Sequence, residues 1–140
     1  MMAESPAILE ARRLRELGAQ IGKGTLIFGR VDVSSTHSGL IKIGECCLIA
    51  SEAMILSHGY PSDWLPVVIG NYCYIGLRSL IVPGVVILDN CVVGAGAVVP
   101  KTLKAPEWSL IVGNPAVAKK LDREKHKRFC DHMNQFINLT

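Results

Sequence analysis

The sequence predicts an all-β solenoid, a parallel β-helix built from stacked triangular coils, and three patterns point to it. Branched aliphatic residues recur every six positions: Ile21, Ile27, Val33, then Ile43, Ile49, Ile55, then Ile69, Ile75, Ile81, Ile87, Val93, Val99 and Ile111. Ten of the thirteen isoleucines stand in this one column. Four residues after it comes a series of mostly small side chains: Thr25, Val31, Cys47, Ala53, Cys73, Ser79, Val85, Cys91 and Ala97. The pattern also overlays itself at eighteen residues, Ile69-Gly-Asn-Tyr-Cys-Tyr-Ile-Gly76 on Ile87-Leu-Asp-Asn-Cys-Val-Val-Gly94. A period of six matches neither a helix nor simple alternation. It matches a chain that turns a corner every six residues, three sides to a coil, with coils about 4.8 Å apart. Corners are expected to use Gly or Asn, which reach left-handed backbone angles at low cost.

The elements follow in order. Ser5 is a good N-cap, Pro6 suits the first helical position and Gly18 closes the segment, so 5–18 reads as a helix. The solenoid occupies 21–116, and its register slips twice. Four extra residues lie between Val33 and Ile43, and eight between Ile55 and Ile69. Insertions in a solenoid loop outward, often onto a binding face. The remainder makes four coils, with Ile111 beginning a partial fifth. In 119–137, Leu121, Phe129, Met133 and Phe136/Ile137 recur at three-to-four spacing, an amphipathic helix expected to cover the last coil. Open coil ends expose unpaired strand edges, so caps are needed.

Composition bounds the function. With 140 residues, one domain is expected. At 49% hydrophobic and 19% charged, the chain is too apolar for disorder, and no long uncharged run suggests a membrane span. Aromatics make up only 6%, as a narrow aliphatic axis requires. Five cysteines, an odd number, and no secretory signal at Met1 point to free thiols in a reducing cytoplasm. The net charge of +3 is gathered at the C-terminal end, where residues 101–128 hold eight Lys/Arg against three Asp/Glu. That suits a small polyanion rather than nucleic acid.

Three segments carry a family resemblance: the hexads, the loop Ile55-Leu-Ser-His58 followed by Pro66-Val-Val-Ile-Gly-Asn-Tyr-Cys-Tyr-Ile-Gly76, and Gly94-Ala-Gly-Ala-Val-Val-Pro-Lys101 leading into Val112-Gly-Asn-Pro-Ala116. Together they resemble the hexapeptide-repeat acyltransferases, left-handed β-helix proteins, and among them the maltose and galactoside O-acetyltransferases. The resemblance implies acetyl transfer from acetyl-CoA to a hydroxyl of a small acceptor such as a sugar, in a site between subunits of a homotrimer, without a metal. The family's catalytic histidine falls on His58. An imidazole there would take the hydroxyl proton as the oxygen attacks the thioester.

For CoA, the resemblance lays the pantetheine arm along Gly76-Leu77 and Gly94-Ala95, with Tyr74 where the family carries Trp. It brings the phosphates to Lys101 and Lys119, and puts Gly113, Asn114 and Pro115 beside the adenine. Ser35 or His37 stands where the acceptor-binding Asn is expected, and Asp63 and Trp64 would line the acceptor pocket.

Blander readings cover other residues. Cys47, Cys73 and Cys91 belong to the inward small series and need only packing. His126, Cys130 and His132 read as a solvated helix face, as does most of the basic run 119–128. Trp108 is expected between the last coil and the helix. Two other functions share the solenoid: a non-catalytic assembly module, and a metal enzyme of the gamma-carbonic-anhydrase kind. The latter needs a close His pair, and Asp63 stands five residues after His58.

Overall fold

The structure, a computed structural model, describes residues 5–33, 38–59 and 64–139. Three parallel sheets form the faces of a triangular prism. The first stacks β1 (Gln20–Ile21), β4 (Ile41–Ile43), β7 (Val67–Ile69) and β10 (Val86–Ile87). The second stacks β2 (Leu26–Ile27), β5 (Leu48–Ile49), β8 (Tyr74–Ile75) and β11 (Val92–Val93), then β13 (Ser109–Gly113) with its antiparallel partner β14 (Ala116–Lys120). The third stacks β3 (Arg30–Val31), β6 (Met54–Ile55), β9 (Leu80–Ile81) and β12 (Val98–Val99). Four coils and one side of a fifth result, and the architecture matches a left-handed β-helix.

The aliphatic column is the axis. Ile21, Ile43, Ile69 and Ile87 stack in the first sheet, and Ile27, Ile49, Ile75, Val93 and Ile111 in the second. In the third sheet the stack is Val31, Ile55, Ile81, Val99. Val31, not Val33, is therefore the inward residue of the first coil. The corner before it holds two residues fewer than its counterparts above, and the following insertion holds six extra rather than four. The two deviations sum to the four read from the sequence, which is why simple counting hides them.

The glycines after the column are there for closeness rather than for left-handed angles. A Cβ on Gly76 would stand 2.6 Å from the Val93 carbonyl oxygen and 2.8 Å from the Ala95 nitrogen of the next coil. The left-handed positions instead fall two residues later. Gly24, Cys46, Tyr72, Asn90 and Trp108 all have positive φ and line up along the corner between the first and second sheets, the first corner. Three of the five carry large or polarisable side chains, against the expectation of Gly or Asn. The cost of left-handed backbone is about 1–2 kcal/mol per residue, and it is offset because these side chains form the bed on which a helix lies.

That helix is α2 (Arg123–Asn134), N-capped by Asp122. It begins later than 119, because Lys119 and Lys120 belong to β14. It does not sit over the last coil but runs down the first corner. Twelve residues span about 18 Å, close to the ~19 Å of four strand spacings. Arg123 lies over the Trp108 ring at 5.0 Å, and Tyr72 Oη and Asn134 Oδ1 are 2.5 Å apart. Met133 and Phe136 are buried with Cys46 and Leu26. Trp108 meets the helix as expected, its ring edge-on to His126 at 5.7 Å.

His126 is the correction. It is 3% exposed, with Nε2 2.8 Å from the Tyr72 carbonyl oxygen, so it is a packed residue and not part of a solvated face. Helix α1 (Pro6–Glu16) has Ser5 accepting from the Ile8 amide and closes the lower end, with Ala11 and Leu14 in the axial core and Ala7 and Ile8 against the α2 cluster.

The inward cysteines form a ladder with Thr25 below them. Thr25 Oγ1 donates to Gly44 O at 2.7 Å, Cys47 Sγ to Gly70 O at 3.0 Å and Cys73 Sγ to Leu88 O at 3.1 Å. Burial pushes the Cys91 thiol up to about 11, away from the thiolate that reactivity requires.

Candidate active site

Both insertions leave the prism at the same place, the third corner, where the third sheet hands over to the first sheet of the next coil. One follows β3 and the other follows β6, one coil above it. Stacking therefore brings chemistry from two coils together. The second insertion leaves the solenoid as an antiparallel pair. His58 and Trp64 form a bridge, and the Leu65 amide donates to Ser57 O at 2.9 Å. The Trp64 ring lies 4.7 Å from the imidazole with the planes inclined by 31°.

His58 lines a cleft of about 450 Å³ whose walls are largely apolar and which it shares with Lys101. Leu56, Val82 and Pro100, one from each of three successive coils, make one wall. The imidazole is poised between that cleft and a carboxylate. Nδ1 stands 2.5 Å from Asp32 Oδ2, a buried oxygen that has no well-aligned hydrogen-bond donor among the described residues. Asp32 is absent from the sequence reading. Its partner lies 26 residues away, and only the corrected register of the first coil aligns the two.

Of the residues the resemblance singled out, the structure brings His58, Lys101 and Trp64 together. Ser35, His37 and Asp63 lie outside the described residues. The CoA positions are spread around the prism. Gly76, Leu77, Gly94 and Ala95 occupy the second corner, across the width of the third sheet from His58, with Leu77 half exposed. Tyr74 lies on the second sheet, edge-on to Phe129 of α2 at 5.8 Å. Gly113, Asn114 and Pro115 make the turn of the β13–β14 hairpin, where the Asn114–Pro115 peptide is cis. Lys119 stands on β14 opposite Leu110 and lines a groove with Trp108 and Arg123, away from Lys101. Within the chain, these residues do not converge on His58.

Among the described residues, no group of three or more His, Cys, Asp or Glu is placed to hold a metal ion.

Comparison with known proteins fixes the family. A model described as the hexapeptide repeat of succinyl-transferase matches residues 66–101. A protein named for an acetyltransferase of colanic acid biosynthesis, WcaF of Escherichia coli (strain K12), is 32% identical over 84% of this chain and 79% of its own length. The chain belongs to the hexapeptide-repeat acyltransferases. Galactoside O-acetyltransferase of Escherichia coli (strain K12) is 31% identical over 82% of the chain, which spans only 62% of that relative. Among solved structures of hexapeptide-repeat proteins, galactoside acetyltransferase in complex with coenzyme A superposes with a TM-score of 0.62, at 25% identity, over 87% of this chain and 76% of the other.

Proposed function

We propose that the protein transfers an acyl group, acetyl in the first instance, from coenzyme A to a hydroxyl of a small acceptor such as a sugar, with His58 as general base. The observation that carries this is the placement of His58. Its Nδ1 stands beside a carboxylate, and the residue lines a largely apolar cleft that it shares with Lys101. In that arrangement Nε2 accepts the proton of the acceptor hydroxyl while the oxygen attacks the thioester carbonyl carbon. The tetrahedral intermediate collapses with cleavage of the C–S bond. The proton passes to sulfur, and the products are an ester and the CoA thiol. The apolar walls exclude water, which would otherwise compete as acceptor.

The donor reading is supported by the coenzyme A complex of galactoside acetyltransferase and by the names of the relatives. The spread of the remaining CoA positions favours a homotrimer in which the third corner of one protomer faces the second corner of its neighbour. His58 and Lys101 would then meet Leu77 and Ala95 across a subunit boundary. The acceptor contacts fall to Trp64 and to the loops carrying Ser35, His37 and Asp63.

The test is thiol release from acetyl-CoA against a panel of hydroxyl acceptors. Wild type is expected to release thiol only with a suitable acceptor, and His58→Ala to lose about 10²–10⁴-fold in kcat while staying folded. Unchanged turnover in His58→Ala would sink the assignment. Failure to bind acetyl-CoA would favour the assembly-module reading.

A further inference from the structure

The two ends of the prism are finished differently. Helix α1 closes the lower end, whereas α2 runs down the first corner and leaves the last coil to the β13–β14 hairpin. The upper edge of the second sheet is β14, which pairs with β13 alone. Its register shows which backbone groups are free. Ile111 O accepts from the Gly94 amide at 2.8 Å, so Ile111 directs its amide and carbonyl toward β11. Successive residues of a strand direct theirs to opposite sides. Leu110 and Val112 therefore bond to β14, where their partners are Lys119 and Val117. The Leu121 amide donates to Trp108 O at 3.1 Å and continues the same alternation. Ala118 and Lys120 are left directing both amide and carbonyl away from β13, and neither makes another backbone hydrogen bond among the described residues. Val117 to Lys120 are all exposed. An open edge of this kind is a template for a further strand.

The side chains select the strand. Lys119 lies opposite Leu110 and Lys120 opposite Ser109, so one lysine stands on each face of β14. Both share a groove of about 410 Å³ with Trp108 and with Arg123, whose guanidinium lies 5.0 Å from the Trp108 ring. Glu107 lines the groove too, yet none of the three cations forms an ion pair among the described residues. The edge is therefore positively charged on both faces. A second copy of this chain suits it poorly, because two antiparallel β14 strands would gather four lysines in one short ladder. An uncharged strand would gain nothing from the lysines. An acidic strand would bring a carboxylate to each of them. The cations also stand at the first-corner end of β14, the corner that the donor reading leaves unused.

We propose that β14 is a docking edge for an extended acidic segment of another protein. The segment adds a strand to the second sheet, its backbone pairing with Ala118 and Lys120 and its carboxylates meeting Lys119, Lys120 and Arg123. This goes beyond acyl transfer and does not depend on it.

Amide hydrogen exchange in ¹⁵N-labelled protein tests it residue by residue. In the free protein the Val117 and Lys119 amides are expected to exchange slowly, and those of Ala118 and Lys120 quickly. A synthetic nonapeptide alternating Glu with Thr, at millimolar concentration, should slow Ala118 and Lys120 about tenfold or more. The same peptide with Gln for Glu, and inorganic triphosphate, should leave both amides fast. No protection by the Glu peptide overturns the proposal. So does equal protection by the Gln peptide, which makes charge irrelevant, or by triphosphate, which makes the groove a plain anion site. Ala118→Pro removes an outward donor without touching the ladder to β13. It should keep Val117 and Lys119 slow and weaken peptide binding about tenfold. Should that variant unfold, the double variant Lys119→Gln, Lys120→Gln carries the test through charge. Peptide binding should then fall about fivefold or more and lose most of its salt dependence. Unchanged peptide binding in either folded variant overturns the proposal.

Discussion

Two corners of the same prism each hold a histidine, and they use it in opposite ways. At the first corner every coil has the same length, so left-handed residues stack in line and make a straight bed. A helix as long as the stack can lie on it, and His126 on that helix is packed against Trp108 and Phe129 with its Nε2 on a backbone carbonyl. At the third corner the coils differ in length. The second insertion turns outward at the His58–Trp64 pair, a cleft opens between it and the coils above, and His58 stands at its edge with about half its side chain in solvent. Regularity produces a surface for packing and irregularity produces a site. The residue type alone does not tell them apart.

The largest expected effect separates the two directly. His58→Ala should lose about 10²–10⁴-fold in kcat and cost about 1–2 kcal/mol in stability, because the ring is half exposed but the buried Asp32 oxygen beside it loses its neighbour. His126→Ala should do the reverse. It removes a buried ring and leaves the Tyr72 carbonyl without its donor, costing about 2–4 kcal/mol, and the protein that remains folded should turn over normally. Paired urea titrations and thiol-release assays check both. If His126→Ala instead abolished turnover at full stability, the division between the corners would be wrong.

A smaller effect sharpens the same contrast through pH. Burial lowers the pKa of His126 below the ordinary 6.5, only partly opposed by its bond to the Tyr72 carbonyl. A histidine depressed in the folded state is one the unfolded chain protonates first. As pH falls below about 6.5, the unfolded state binds a proton that the native state refuses, and stability declines until the native pKa is reached. Above 6.5 the contribution is constant. Arg123 and Lys125 on the same helix, and the phenols of Tyr72 and Tyr74 on the coils below, are among the ionisable groups around it. His126→Gln should therefore flatten the fall in urea midpoint between pH 7.5 and pH 5 relative to wild type. An identical slope in both proteins would place the acid sensitivity elsewhere.

The sequence makes the regular corner's frame legible and the irregular corner only in outline. Hexads predict the axis because each inward position sees the same narrow space, and all but Val33 stand where the period puts them. The exception arises where a short corner and a long loop compensate each other, a combination to which periodicity is blind. Asp32 was hidden for that reason. His58 was visible through the loop that carries it, and its cleft was implied by two insertions on the same side of the coil. His126 had a readable signal that the charge pattern masked. With Phe129, Cys130, Met133 and Phe136 it continues the three-to-four stripe, so it belonged to the buried side all along. Lys119 was assigned to the wrong element, because a two-stranded turn around Asn114 and Pro115 has no hexad signature.

The smallest effect concerns how the regular corner keeps its helix. Asp122 Oδ1 accepts from the Glu124 and Lys125 amides at 3.0 and 3.2 Å, satisfying two donors that the first turn of α2 otherwise leaves to water. Asp122→Ala should cost about 1 kcal/mol by fraying that turn. The turn ends at His126, so the loss should not add simply to that of His126→Ala. Once the histidine anchor is gone, the first turn has less packing to protect, and the double variant should be less destabilised than the sum of the singles. Strict additivity would mean that the cap and the histidine hold the helix independently. The first corner would then be a set of separate contacts rather than one cooperative strip.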